Sequence, residues 1–570
     1  MAEEHRIETE RSFCLAGKAT VRSCNSEKVA SEMGAVQVLE LPRAATTRRE
    51  VNPWVVALTV TLATFMELLD TSIANVSLPH IAGGLGRSFD EVTWILTTYL
   101  VANAVVLPMS AWLSRVFGRK NYYMACVALF TLTSFFCGIA PTLGVMLVSR
   151  VLQGVGGGGL APVEQAILID TFPPAKRASA FALYTVAIVT APAIGPVLGG
   201  WITDNYDWRW VFLINIPIGL LSLFLTNRFV HDPPAFEQER ESARRGGRLK
   251  IDGVGIGLIA LGSAALEIML DRGQIDDWFG SPFICWLFAI AVACFVVAIY
   301  WELRVEDPII ELRLLRHPNF AIASVFYFVF GFGLFATTTM IPQILQSLYG
   351  YRAIDAGLVL GPGAFVITLL APVGAQLVQR GIVHPKTLLL ISLSTVSASM
   401  IYYSGLTLQT DYAHYALARV FQGLGYAFFF VPLSVVAYSQ LKPNENNRAS
   451  SLTNLFRNWG GSFGISFATT LSERRQSFHQ SVMAANLPAS GAWLQNQIHR
   501  TTDYLMSQGY SHADAAKAAY LRYYEQLGAQ TQMLGFMDVF RAIGWLTLAV
   551  TPLVLLIRRF HVSGKPSGGH

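Results

Sequence analysis

Charge is what this chain has least of. Only 14% of its 570 residues are Asp, Glu, Lys or Arg, against roughly 25% in an average soluble chain, and 53% are apolar. That balance argues against an ordinary water-soluble globule. Cysteine is sparse too: Cys14 and Cys24 lie in the polar N-terminal stretch and Cys126, Cys137, Cys285 and Cys294 inside apolar runs, with neither a disulfide framework nor a metal spacing. The histidines, His80 and His414 among them, are scattered and accompany no nucleophile or ligand set, so neither an enzyme nor a metal site nor an organic cofactor is expected. Glycines crowd Gly154 to Gly159, yet no Gly-Lys-Ser/Thr follows and no strand precedes, which leaves a phosphate loop and ATP-driven work without support. The net charge of +5 is spread over short loops rather than gathered in a patch, so no nucleic-acid partner is expected. Residues 1–50 lack the apolar core and cleavage site of a secretory signal and are read as a disordered cytoplasmic tail, a start at Met33 being equally compatible.

What is present is a series of apolar runs of about twenty residues, the length a helix needs to cross roughly 30 Å of hydrocarbon. Backbone in lipid must satisfy its own hydrogen bonds, so the runs are read as helices in a bilayer. They fall near 53–79, 90–112, 121–140, 142–169, 179–202, 208–229, 252–270, 281–301, 319–346, 354–378, 386–406, 412–439, 449–471 and 536–557, which makes fourteen spans. With the N-terminus inside, seventeen Lys and Arg fall in short inner loops and only Arg87, Arg209, Arg272 and Arg352 in short outer ones. Cationic loops stay on the cytoplasmic side, so both termini are placed there. The outer segment from Ser472 to Gly535 is too polar to span and too long for a tight connection, so it should hold helices, one capped by Ser511 and an earlier one ended at Gly509.

The chain also repeats itself. Arg150-Val-Leu-Gln-Gly-Val-Gly156 returns as Arg419-Val-Phe-Gln-Gly-Leu-Gly425, and Arg177-Ala-Ser179 as Arg448-Ala-Ser450, at offsets of 269 and 271 residues. Each match holds the same place in its helix order, which predicts two six-helix halves with an inserted pair between them. The expected parts are a tail (1–50), a first six-helix bundle (51–230), a cytoplasmic loop with two inserted helices (231–305), five helices of the second bundle (306–471), a periplasmic helical loop (472–535), and a last helix with a cytoplasmic tail (536–570). Paired bundles suit alternating access to a mid-membrane site; a duplicated membrane scaffold is the plainer alternative.

A scaffold has no need of charge in the bilayer, where each charged side chain costs roughly 2.5–3.5 kcal/mol on insertion scales. Glu67 and Asp70 stand three apart on one face of the first span, Arg150 and Glu164 lie in the fourth, Glu267 in the seventh and Arg419 in the twelfth. Two acids on one face cannot both ionise cheaply in a low dielectric unless a cation stands opposite, and Arg150 is the natural one. Asp70, Glu67, Arg150 and Glu164 are therefore the proton-coupling candidates, the alternative being a structural Asp70–Arg150 pair that locks two helices. Glu267, close to the loop at Asp271, is placed where it can reach water. In the fifth span Pro192, Gly195, Pro196, Gly199 and Gly200 remove backbone hydrogen bonds and bulk, as a bend lining a pathway would. Asn75, Gln153, Gly154, Glu267, Arg419 and Gln422 join them as pathway or gating candidates.

These residues resemble the major facilitator superfamily, in its fourteen-helix drug:proton antiporter branch (DHA2), over nearly all of 53–560. Leu69-Asp-Thr-Ser-Ile-Ala-Asn-Val-Ser-Leu-Pro79 looks like the first-helix signature of that branch, Arg150 through Gly156 like the fourth-helix one, and Gly195-Pro-Val-Leu-Gly-Gly200 like the antiporter signature of the fifth. The family's loop between spans two and three begins with Gly and carries Asp four residues on; here both are serine, Ser110 and Ser114, while the basic end Gly118-Arg119-Lys120 is kept. Leu270-Asp-Arg-Gly-Gln274, Asp277-Trp-Phe279 and Pro173-Pro-Ala-Lys-Arg177 resemble the EmrB type of multidrug efflux subunit, with Glu164 and Glu267 where uncharged residues are expected. The resemblance implies an antiporter in a bacterial inner membrane that expels small amphipathic substrates, with the proton as coupling ion. It further implies an EmrA-like periplasmic membrane-fusion adaptor and a TolC-like outer-membrane channel as partners. A dedicated exporter of one metabolite, such as a siderophore, fatty acid or aromatic acid, is the second reading. A receptor or enzyme subunit without transport is the third.

Overall fold

A computed structural model of the chain describes residues 52–173, 176–232, 252–305, 308–442, 445–486 and 491–558. The tail expected over 1–50 and most of the loop after residue 232 lie outside them. The described residues are helical, with no strand among them. The first half comprises α1 (Pro53–Leu85), α2 (Phe89–Phe117), α3 (Arg119–Gly138), α4 (Leu143–Gly157), α5 (Leu160–Thr171), α6 (Arg177–Asn205), α7 (Trp210–Leu213) and α8 (Asn215–Phe229). Next come α9 (Gly253–Arg272) and α10 (Pro282–Glu302). The second half comprises α11 (Pro318–Ser347), α12 (Ala353–Leu358), α13 (Gly361–Gln379), α14 (Pro385–Tyr403), α15 (Tyr412–Ala427), α16 (Phe430–Ala437), α17 (Asn446–Asn486), α18 (Ala492–Ser507) and α19 (His512–Val550).

Local chemistry sets the boundaries. Asn52 accepts from the Trp54 N–H ahead of Pro53 at the first turn of α1. Ser88 and Glu91 close a reciprocal capping box on α2. Gly118, with φ +91°, makes the turn from α2 into α3 that a residue with a Cβ would resist. The repeat read from sequence is visible in the backbone: α4 stops at Gly157 and resumes as α5 at Leu160, and α15 stops at Ala427 and resumes as α16 at Phe430, each break 270 residues from its counterpart.

Among the described residues twelve helices are long and apolar enough to cross a membrane. Two expected spans, α14 and α17, are not among them, and their polar residues have uses. In α14 the hydroxyls of Ser392, Ser397 and Ser399 donate to carbonyls of Gly425, Gly544 and Ala418 on neighbouring helices. In α17 Asn454, Arg457 and Ser462 bond to residues of other helices. The spans overrun their expected ends as well: α17 continues past residue 471 to Asn486, and α19 begins at His512, where Ser511 accepts from the Asp514 N–H at 3.2 Å. Gly509, φ +95°, lies between α18 and α19. Among its described residues the segment 472–535 holds the extensions of α17 and α19, with α18 packed on α19.

The two halves meet along two seams. On one, α6 packs on α12, α13 and α16; on the other, α2 and α5 pack on α17, with α9 lying against both α2 and α17. Within the second half, α11 and α17 cross so closely that a Cβ on Gly331 would lie 2.0 Å from the Arg457 carbonyl oxygen, and one on Gly460 2.0 Å from that of Phe328. Gly331→Val is therefore expected to destabilise the protein by about 1–3 kcal/mol or more, the range for overpacking, and to lower both its melting temperature in detergent and its monodisperse yield. An unchanged melting temperature would mean that the crossing can open without loss.

Candidate functional site

Asp70 and Arg150 are both fully buried, and Arg150 Nη1 donates to Asp70 Oδ2 at 2.7 Å. Asp70 Oδ1 accepts two more bonds, from Asn215 Nδ2 (2.6 Å) and Gln153 Nε2 (3.2 Å). Arg150 also donates to Gln153 Oε1 (2.7 Å) and, through Nε, to the Ile95 carbonyl (3.1 Å). Gln153 Nε2 and Asn215 Nδ2 both reach Ser134 Oγ, at 2.7 and 3.3 Å. The guanidinium lies over the rings of Tyr99, at 4.5 Å, and Phe212, at 5.5 Å. Helices α1, α2, α3, α4 and α8 therefore converge on one carboxylate. Two side-chain amides and the guanidinium thus donate to it, the last a charge-assisted bond.

Glu67, although on the same helix face, does not reach Arg150. Its Oε1 accepts from Asn103 Nδ2 (2.9 Å) and the Tyr99 hydroxyl (3.3 Å), and its Oε2 has no protein partner. Tyr99 thus links the two acids, its hydroxyl on Glu67 and its ring under Arg150. Glu164 is fully buried on α5, where Thr61 donates to its Oε1 at 2.6 Å and its Oε2 is without a protein partner.

Arg457 on α17, which the sequence reading passed over, lies within Coulombic reach of both Glu67 and Glu164. It donates to the Tyr184 hydroxyl (2.7 Å) on α6 and to Asn458 Oδ1 (3.3 Å), and Asn458 Nδ2 donates on to Asn103 Oδ1 (3.4 Å). A run of hydrogen bonds therefore leads from Glu67 in one half to Arg457 in the other. The signal for Arg457 was available as a cation inside the run 449–471. Asn215 could likewise have been found as an amide inside the run 208–229.

The remaining expectations divide. Glu267 is 4% exposed and accepts from Ser462 Oγ at 2.8 Å, so it does not reach water as its distance from Asp271 had implied; Asp271 is itself held by Thr97. Both bonds tie α9 across the α2–α17 seam. Helix α6 is continuous despite its two prolines, but Pro196 cannot supply an N–H to the carbonyl of Pro192, and Ser72 Oγ of α1 donates there instead, at 3.1 Å. Gly195 and Gly199 let α1 approach at Ser72 and Ile73, beside Asp70, and Gly200 is buried. Gly154 receives the α2 backbone at Tyr99. Asn75 is exposed on α1, away from the Asp70 network.

In the α2–α3 turn Arg119 pairs with Asp170 of α5, and Lys120 Nζ donates to the Asn227 carbonyl at 2.7 Å. Ser110 lies 3.4 Å from Ser451 of the second half, whose hydroxyl donates to the Leu107 carbonyl at 2.9 Å. A hydroxyl thus meets the other half at the position where the family pattern has glycine, while Ser114, at the acid's position, donates to the Ala111 carbonyl of its own helix. In the second bundle Arg419 Nη1 donates to Gln422 Oε1, as Arg150 does to Gln153. Among the described residues no cluster of His, Cys, Asp and Glu could hold a metal ion.

Residues 60–465 match the Major Facilitator Superfamily. The chain is 35% identical to the fatty acid resistance protein FarB of Neisseria gonorrhoeae over 517 residues, covering 90% of this chain and 97% of that one. It is also 35% identical to the multidrug export protein EmrB of Escherichia coli K12 over 435 residues (76% and 83%), and 33% identical to EmrB of Haemophilus influenzae over 497 residues (86% and 94%). Among solved structures, the human organic anion transporter MFSD10 superposes with a TM-score of 0.53 at 12% identity, covering 88% of this chain and 99% of that one. A bacterial homologue of the lysosomal transporter Spinster, inward-facing and occupied, does so with a TM-score of 0.50 at 16% identity, covering 90% and 98%. At such identities the likeness concerns fold alone. The buried Asp70–Arg150 network, the doubled Arg–Gln motif and these relatives agree: the chain is a multi-pass membrane protein of the Major Facilitator Superfamily, an EmrB-type transporter.

Proposed function

We propose that this transporter expels small amphipathic molecules from the cytoplasm or inner leaflet in exchange for protons, with Asp70 as the coupling carboxyl. The observation that carries the reading is Asp70 itself, buried at the convergence of five helices with Arg150 opposite. Protonation of Asp70 removes the charge that holds Arg150, so the network has two arrangements whose balance a proton and a substrate both bias. Glu67 and Glu164, each with one carboxylate oxygen free of protein partners, form a second proton station that Arg457 ties to the other half. The domain division read from sequence is kept: fourteen spans, with α14 and α17 crossing as polar helices, and both termini cytoplasmic. The membrane is a bacterial inner membrane.

Within this reading the helical extension works with a periplasmic adaptor and an outer-membrane channel. Trp493, Tyr504, Tyr520, Leu521 and Tyr524 stand exposed on α18 and α19, an aromatic surface of the kind partners cover. Replacing residues 487–510 by a short Gly-Ser linker is expected to abolish copurification of the adaptor while the transporter still inserts. Undiminished copurification would remove the extension from the interface.

The reading is tested by transport in proteoliposomes with and without an imposed pH gradient. Accumulation that rises with the gradient supports it, and accumulation indifferent to the gradient overturns it. A second reading, a dedicated exporter of one compound, is favoured by the FarB relative, named for fatty acid resistance and matched over 97% of its length. A resistance profile of the deletion strain separates the two: hypersensitivity to many compounds supports the first, to a single compound the second.

A further inference from the structure

The two bundles repeat an Arg–Gln pair but not its counter-ion. In the first, Arg150 bonds Gln153 and the carboxylate of Asp70. In the second, Arg419 Nη1 donates to Gln422 Oε1 and Thr337 Oγ1 (3.5 Å), and Gln422 Nε2 donates to the same Thr337 oxygen at 2.8 Å. Thr337 on α11 therefore holds the place that Asp70 holds on α1, the first helix of the other half. A hydroxyl stands where a carboxylate stood.

Arg419 is nonetheless 3% exposed, and among the described residues no Asp or Glu pairs with it. Its Nε and Nη2 donate to no protein group among those residues. Neutral partners satisfy donors but leave the charge, and a buried charge without an opposite one is costly. The hydroxyls of Tyr403 and Tyr426 lie within Coulombic reach, and the Tyr426 hydroxyl is itself buried without a protein hydrogen-bond partner. The site thus combines an unmatched guanidinium edge, whose planar fork suits a carboxylate, with a buried hydroxyl on the same helix that has no hydrogen-bond partner.

We propose that Arg419, with Tyr426, binds the carboxylate of an amphipathic anionic substrate during the transport cycle, taking the place that Asp70 fills for Arg150. This rests on the reading of the chain as an exporter and names a substrate class for it. The first bundle handles the proton with an internal acid, and the second awaits an acid from outside.

Binding of decanoate to the full-length protein in nanodiscs, measured at equilibrium in chloride-free buffer, tests the assignment. Two variants serve: Arg419→Gln removes the cation, and Thr337→Asp supplies the internal carboxylate that the first bundle has. Decanoate should bind the parent and weaken at least tenfold in both variants, while binding of the cation tetraphenylphosphonium should not weaken in either. Thr337→Asp should melt no lower than the parent, which separates lost binding from lost fold. Parent-like decanoate affinity in a folded Thr337→Asp protein overturns the proposal. So does chloride, titrated into the parent in a second measurement, that binds at Arg419 with no competition from decanoate, which makes the arginine a small-anion site only. No gradient is applied, so failure here leaves proton coupling standing, whereas gradient-driven transport surviving in Asp70→Asn sinks the coupling reading alone.

Discussion

Replacing Asp70 by asparagine is expected to uncouple the transporter, so that substrate accumulation under an imposed pH gradient falls to the level reached without one. One pH unit supplies about 1.4 kcal/mol per proton, a factor of about ten in accumulation. Asparagine keeps the shape of the side chain, and its carbonyl oxygen can still accept from Asn215 or Arg150, so the helices stay together. What it loses is the ability to take up and release a proton. The tenfold response of the parent to one unit should therefore shrink to about onefold in the variant, while exchange of substrate for substrate at equal pH persists. Measuring both in the same proteoliposomes separates uncoupling from misfolding. A variant whose response equals the parent's moves the coupling role to Glu67 or Glu164, the other buried first-half acids.

The second large effect is expected at Arg150. Arg150→Ala strips Asp70 of the cation paired with it, removes the guanidinium's bonds to the Ile95 carbonyl and Gln153, and empties the space over the Tyr99 ring. Removing one partner of a buried ion pair costs about 3–5 kcal/mol, because the other charge stays behind. Reversible unfolding in mixed detergent micelles should register a loss of that size. In the Asp70→Asn background the same substitution should cost less by about 0.5–3 kcal/mol, since no stranded carboxylate remains. Equal costs in the two backgrounds would show that the pair contributes little beyond packing.

Much of this was legible in the sequence, and for identifiable reasons. The Asp70–Arg150 pair could be read because a charge within an apolar run has few ways to exist, and the doubled Arg–Gln motif because its spacing recurs. The separation of Glu67 from Arg150 could not be read. Three residues along a helix put two side chains on one face but do not fix which neighbour each meets, and Tyr99 and Asn103 of α2 claim Glu67. Glu267 misled for a similar reason: nearness in sequence to a loop does not expose a residue when a helix from the other half, carrying Ser462, covers it. Arg457 went unread because its run also holds Asn454, Asn458 and Ser462, so its polarity blended with theirs. The exchange of Asp70 for Thr337 lay beyond the sequence altogether, since α1 and α11 share no motif and their correspondence appears only through what Arg150 and Arg419 touch.

The central claim is that substrate and proton compete through Asp70. It is tested most directly by proton release from the purified protein in weakly buffered detergent solution as a transported substrate is added. The account predicts that the parent releases up to about one proton per substrate bound, as linkage requires, and that Asp70→Asn binds substrate and releases none. Release of the same number of protons by Asp70→Asn and the parent would contradict it.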